Sequence, residues 1–265
     1  MRIPYYHVDA FTDTLFQGNP AGVCPLERWL PDEILQRIAA ENNLSETAFF
    51  VAQEGAFHLR WFTPTVEVDL CGHATLAAGH VLFSELGFLE NVIRFNTLSG
   101  RLAVTRDGKI IELDFPARPP MPCDPPQNLL SGLGAQPREV LRARDYMAVF
   151  PSAADVAALK PNMALLSQLD CLGIIVTAPG NDSDFVSRFF APAAGIAEDP
   201  VTGSSHCSLI PFWSERLGKN RLFARQISAR GGALYCRHLG ERVAIGGQAV
   251  IYSRAELNMP APSET

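Results

Sequence analysis

The chain has 265 residues, 47% of them hydrophobic, and a formal net charge of −6 from 22 basic and 28 acidic side chains. That length fills one large domain or two ordinary ones, and three lysines among scattered arginines form no basic stripe that could neutralise a phosphate backbone. No apolar run approaches the roughly 18 residues of a membrane span, and "MRIPYYHVDAFTDT" lacks the apolar core of an export signal, so the expectation is a cytoplasmic protein with neither a nucleic-acid nor a membrane partner.

In chain order, the first helical pattern is amphipathic and runs roughly from Pro31 to Glu41. "NNLSETAFF" then sets Glu46 directly before an apolar strand. A carboxylate at the mouth of a buried strand can have its pKa raised by desolvation and serve as both general acid and base; the plain alternative is an exposed turn residue. "DLCGHATLAAGH" follows, with Cys71, Gly72 and His73 leading into a helix over Ala74–Leu86 that Gly87 ends. The helix is apolar nearly all round, which suggests one enclosed by sheet. "RLAVTRDGKIIELDF" alternates apolar and polar residues about a two-residue turn at Asp107-Gly108. Pro116–Gln127 carries six prolines in twelve residues, a stiff extended stretch. Beyond it, "EVLRARDYMAVFPS" reads as a helix running into a strand. "EDPVTGSSHC" opens a second central helix, and "RGGALYCRHLGERVAIGG" a second hairpin turning at Leu239-Gly240.

These elements repeat. "RWFTP" at Arg60–Pro64 returns as "RFFAP" at Arg188–Pro192, each half then opens a helix, and the two hairpins align Gly100 with Gly232, Leu102 with Leu234 and Gly108 with Gly240. The expected fold is therefore α+β, two pseudo-symmetric lobes made by internal duplication, each a strongly bent sheet around a central helix, with a cleft between them. Residues 1–118 form the N-terminal lobe, 119–127 a Pro-rich linker and 128–265 the C-terminal lobe, whose last strand returns to the first.

The two motif turns would stand at helix N-termini, where unsatisfied N–H groups and the helix dipole favour an anion. Gly72 and Gly203 allow close approach, and Thr75, Ser204 and Ser205 offer hydroxyls. Ordinary capping by Asp199, Thr202 and Ser204 is the competing reading. Cys71 is either a nucleophile with a depressed pKa or a small buried residue. His73 can hydrogen-bond or protonate a bound acid near neutral pH. The six cysteines, Cys24, Cys71, Cys123, Cys171, Cys207 and Cys236, form no CxxC pair and are expected to be free thiols. A metal would need Cys71, His73 and His206 to converge, and without HExxH, CxxC or a carboxylate at ligand spacing none is expected. Lys109, Lys160 and Lys219 occupy turn contexts unsuited to a Schiff base, and neither GxGxxG after a strand nor GxxxxGK[ST] occurs, so no cofactor is expected.

"VDAFTDTLFQGNPAGV", "NNLSETAFF", "RWFTPTVEVDLCGHATLAAGHVL" and "EDPVTGSSH", spread from Val8 to His206, together resemble the PhzF-like family, named for a phenazine-biosynthesis isomerase. The resemblance implies the diaminopimelate-epimerase-like fold, with two pseudo-symmetric lobes and a cleft between central helices, and a homodimer. It implies that Glu46 is the catalytic glutamate, taking a proton from one carbon of a cyclic dihydro-hydroxy amino acid and returning it to another. His73 and Asp199 match residues that contact the substrate and assist the proton relay. Gly72 and Ser204, with Gly203 in the same turn, match the helix-front positions that bind its carboxylate. Epimerases of this fold carry a cysteine at each helix front; Cys71 fills the first place, but its counterpart is Pro200 or Thr202, so a two-thiol racemisation lacks its second base. The expected activity is a cofactor-independent isomerase that shifts a proton and a double bond within a small carboxylic acid, cyclic amino or hydroxy acids being one possibility. The alternatives are an amino-acid racemase or epimerase using Cys71 with another base, and a small-carboxylate-binding protein without turnover.

Overall fold

The computed structural model describes residues 1–259, so 260–265, the end of the expected second lobe, lie outside the described residues. The chain divides into two compact units, one of Met1–Leu113 with the segment from Gly247 onward, the other Asp114–Gly246. Among the described residues no helix is long and apolar enough to cross a membrane.

In the first unit β1 (Arg2–Ala10) pairs antiparallel with β2 (Asn19–Leu26) on one side and with the C-terminal strand Ala249–Asn258 on the other. Helix α1 (Asp32–Asn42) buries Leu35, Ile38 and Ala39 along one stripe, as its spacing requires. Asn43 ends it in the left-handed conformation, φ 48°, and turns the chain back toward the sheet. There β3 (Glu46–Gln53) lies parallel to β2, and β4 (Ala56–Phe62) runs antiparallel to both β3 and the short β5 (Glu67–Val68). After α2 (Gly72–Ser84) come β6 (Val92–Thr97), parallel to β4, and the hairpin partners β7 (Gly100–Asp107) and β8 (Ile110–Pro116).

Helix α2 starts and stops two residues before the apolar run suggested, and it is the enclosed helix that the composition implied: His73 through Gly79 and Val81 through Phe83 are all buried. A Cβ on Gly79 would come within 3.0 Å of the Val104 side chain, so this glycine lets the helix lie close against β7. The hairpin turn is displaced by one residue from the expected Asp107-Gly108. Asp107 pairs with Ile110, which leaves Gly108 and Lys109 as the loop, and Gly108 takes φ 59°, as such a turn demands of its first residue.

The second unit contains β9 (Met121–Pro122), α3 (Gln127–Leu133), β10 (Glu139–Arg142), β11 (Tyr146–Val149), α4 (Ala153–Ala158) and α5 (Met163–Leu166). It continues with β12 (Ile174–Pro179), β13 (Phe185–Ala191), β14 (Ile196–Asp199), α6 (Gly203–Leu217), β15 (Arg221–Gln226), β16 (Gly232–His238) and β17 (Arg242–Gly247). Its pairings run antiparallel β10–β11, parallel β11–β12, antiparallel β12–β13, parallel β13–β15, then antiparallel β15–β16 and β16–β17. The first unit has that succession in β1–β2, β2–β3, β3–β4, β4–β6, β6–β7 and β7–β8.

One expectation fails here. In "EVLRARDYMAVFPS" the expected strand forms as β11, but the part read as helix is β10, and the two make a β-hairpin: Glu139 pairs with Val149 and Arg142 with Tyr146, and β9 covers the other edge of β10. Cross-strand partners outweigh the helical propensity of Glu-Val-Leu-Arg, which is worth only tenths of a kcal/mol per residue. The Pro-rich stretch carries the extended β9 and is tied down by backbone hydrogen bonds. Pro211, inside α6, has no N–H for the Cys207 carbonyl one turn back, and that carbonyl instead accepts the Arg118 N–H at 2.8 Å. Ala117 N–H donates to Glu241 O and Cys123 N–H to Val140 O, which anchors the whole stretch in the second unit.

The repeated Arg-aromatic-Phe motif has a structural cause. Arg60 grips Glu67 with Nε and Nη2, both at 2.7 Å, and Arg188 grips Glu198 in the same way at 2.7 and 2.9 Å. Each fork pins a long strand to the short strand after it. Arg188 also donates from Nη1 to Val156 O and Leu159 O, closing the end of α4, and lies over the Phe190 ring. Arg188→Met is expected to cost about 2 kcal/mol in urea unfolding, since it strands a partly buried carboxylate and two carbonyls. A loss under about 0.5 kcal/mol would show the fork to be ornamental.

Candidate functional site

Glu46 opens β3 in register with Ala21 of β2, two residues beyond Asn19 on the same strand. Gly72 and His73 open α2, whose N-cap is Cys71. Glu46, Cys71, His73 and Asn19 thereby meet in the first unit. His73 Nε2 lies 3.2 Å from Glu46 Oε2, with only 14% of the glutamate side chain exposed. That is an ion-pair distance without the alignment of a hydrogen bond. Across the ring, Nδ1 lies 3.3 Å from Asn19 Nδ2 and 3.5 Å from Cys71 Sγ. Burial lowers the pKa of His73 to about 3, so the imidazole is neutral at physiological pH.

Glu46, Cys71 and His73 place one ligand atom each within 4.8 Å of one another, so a carboxylate not counted in the Cys71, His73 and His206 reading does reach the cluster. Cys71 nevertheless addresses Nδ1 and Glu46 addresses Nε2. One ion cannot bind opposite edges of a ring, so all three could ligate only after rearrangement.

In the second unit Asp199 closes β14, and its carboxylate accepts the Thr202 hydroxyl. Gln226 organises this turn: Oε1 accepts the Thr202 N–H at 2.9 Å while Nε2 donates to Asp199 O at 2.8 Å. Gly203 is the first residue of α6 and is buried. Ser204 Oγ accepts from Arg144 Nη2 at 3.1 Å, and Arg144 is itself paired with the buried Asp145.

Neither helix front is capped by its N-cap side chain, Cys71 at α2 or Thr202 at α6. Thr202 holds at α6 the N-cap place that Cys71 holds at α2. Two of the expected hydroxyl donors are committed elsewhere: Thr75 donates to Cys71 O at 2.5 Å and Ser205 to Thr202 O at 2.8 Å. His206 is fully buried with Nδ1 2.8 Å from Thr202 O, a structural tie within α6, and burial lowers its pKa to about 4. Lys109, Lys160 and Lys219 are all exposed, and all six cysteines are free thiols.

Asn19, Arg144 and Gln226 carried no role in the sequence reading. Asn19 had a signal, a polar amide entering an apolar strand in "GNPAGV"; Arg144 and Gln226 act only through partners distant in sequence.

Residues 8–255 match the family model described as phenazine biosynthesis-like protein. The chain is 53% identical, over 98% of its length and all of the relative's, to an uncharacterized isomerase of Pseudomonas aeruginosa. A crystal structure of a phenazine biosynthesis protein of the PhzF family from Enterococcus faecalis superposes with a TM-score of 0.96 at 46% identity, covering 98% of this chain and 100% of that one. A probable proline racemase from Agrobacterium radiobacter shares the fold at a TM-score of 0.61 and 12% identity, over 99% of this chain and 94% of that one.

Proposed function

The chain belongs to the phenazine biosynthesis-like family, and from that premise we propose that it is a cofactor-independent isomerase moving a proton, and with it a double bond, within a small carboxylic acid. The observation that carries this reading is a single carboxylate, Glu46, set 3.2 Å from a neutral imidazole in a nearly dry pocket of side chains. Glu46 takes a proton from one carbon; the C–H electron pair becomes the new double bond, and the old double bond's electrons pass to the carbon that receives the proton back. His73, 3.2 Å from Glu46, orients the catalytic acid. Gly72 at the front of α2 in the first unit, and Gly203 and Ser204 at the front of α6 in the second, each offer a carboxylate N–H groups that no N-cap side chain covers. Asp199 assists the relay. The matching strand successions support internal duplication as the origin of the two helix fronts.

A second reading, racemisation by Cys71, draws on the 3.5 Å contact between its thiol and His73. It needs another base, since the matching N-cap is Thr202. The test is incubation in deuterated water with a panel of unsaturated carboxylic acids and amino acids, followed by NMR. Deuterium at a carbon flanking a shifted double bond supports the isomerase. Exchange confined to an α-carbon with inversion supports the racemase. Binding of acids with no exchange in any of them supports a binding protein.

A further inference from the structure

We infer that Asn19 is a positioning residue whose amide donates to His73 Nδ1 and so holds the ring as the neutral tautomer with its proton on Nε2, beside Glu46. Among the described residues three side chains face the ring, each from a different segment: Glu46 of β3 at Nε2, Asn19 of β2 at Nδ1, and Cys71, the residue before α2, also at Nδ1. With the proton on Nδ1, an imidazole lone pair would face a carboxylate oxygen at 3.2 Å while amide N–H and thiol S–H groups met an N–H. With the proton on Nε2, the N–H stands beside the carboxylate oxygen and the one Nδ1 lone pair is left to accept from the Asn19 amide, with the Cys71 thiol also near it.

The placement of Asn19 is built into the backbone. The residue is fully buried and pairs with Ala10 across β1 and β2. Before it, Gly18 holds φ 68° where a Cβ would stand 2.2 Å from Ala10 O, so only glycine can lead the chain into that position. Pro20 then restricts Asn19 to extended backbone. The ring is consequently kept as a donor toward Glu46 and is denied the role of proton acceptor, so the proton that Glu46 removes does not pass to His73. That last consequence rests on the isomerase reading; the tautomer does not.

The test is 15N NMR of histidine-labelled full-length protein without substrate, with His73 assigned by comparison with His73→Gln. The wild-type ring is expected to show protonated Nε2 and bare Nδ1 from pH 8 to pH 5.5. A proton on Nδ1, or a doubly protonated ring, would overturn the inference. Asn19→Asp is nearly isosteric but presents only acceptors, so the ring should gain a proton on Nδ1 at pH 7, and turnover should fall at least about tenfold with KM little moved. An Asn19→Asp ring unchanged from wild type would also overturn it. Should that variant not fold, the wild-type spectrum decides alone. These spectra need no turnover, so failure of the isomerase reading and failure of this one are told apart.

Discussion

Glu46→Gln is expected to lower turnover by about 10²–10⁴-fold while leaving substrate affinity and the folded structure nearly intact. The substitution keeps the size of the side chain and an oxygen able to face the His73 ring, and removes only the capacity to take and release a proton. Glu46 has little exposure to water and lies 3.2 Å from a neutral imidazole. A solvent molecule or a distant base is poorly placed to substitute for it. The kcat-against-KM split is diagnostic: a fall in kcat with KM unchanged marks an interaction of the transition state, whereas a rise in KM alone would make Glu46 a mere contact. Activity within threefold of wild type would remove it from the mechanism.

Steep acid destabilisation is the second large effect expected. His73 and His206 are buried in the two units, and both have folded-state pKa values below the ordinary 6.5, at about 3 and about 4, because desolvation disfavours the imidazolium. Below 6.5 the unfolded chain binds protons that the folded chain refuses, so stability is full above that value and declines as pH falls towards the folded values. Each histidine should remove roughly 2 kcal/mol between pH 7.5 and pH 5. Asp32 and Glu85, held below the usual carboxylate range chiefly by hydrogen bonds from Arg60 and Arg254, add loss in the same direction at still lower pH. Urea unfolding at pH 7.5, 6 and 5 measures the slope. His206→Phe, which takes up no proton, should make it shallower whatever its effect at pH 7.5. A flat profile from pH 7.5 to 5 would contradict the burial of both rings.

Local pattern made much of this legible. The 3–4 spacing of Leu35, Ile38 and Ala39 marks α1, the unbroken apolar run after His73 marks an enclosed helix, and alternation on either side of Gly108 marks a hairpin. Glu46 and His73 stand out because a charged or titratable residue directly abuts apolar sequence. What escaped depends on partners far along the chain. Nothing local in "EVLRARDYMAVF" reveals that β9 and β11 flank β10. The Pro-rich stretch looks like a spacer until Pro211 is seen to release the Cys207 carbonyl to Arg118. The hydroxyls of Thr75 and Ser205 look available until their bonds to Cys71 O and Thr202 O are drawn. "RWFTP" and "RFFAP" drew notice as a repeat, but their reason, two arginine–glutamate forks, lies in acids 7 and 10 residues downstream.

The central claim is that one carboxylate, and no thiol, carries the proton. It is tested most directly by following solvent deuterium into an unsaturated carboxylic acid turned over by the wild type, with wild-type, Glu46→Gln and Cys71→Ala proteins side by side. Exchange kept by Cys71→Ala and lost by Glu46→Gln is the predicted result. Exchange lost by Cys71→Ala and kept by Glu46→Gln would contradict it and give the chemistry to the thiol.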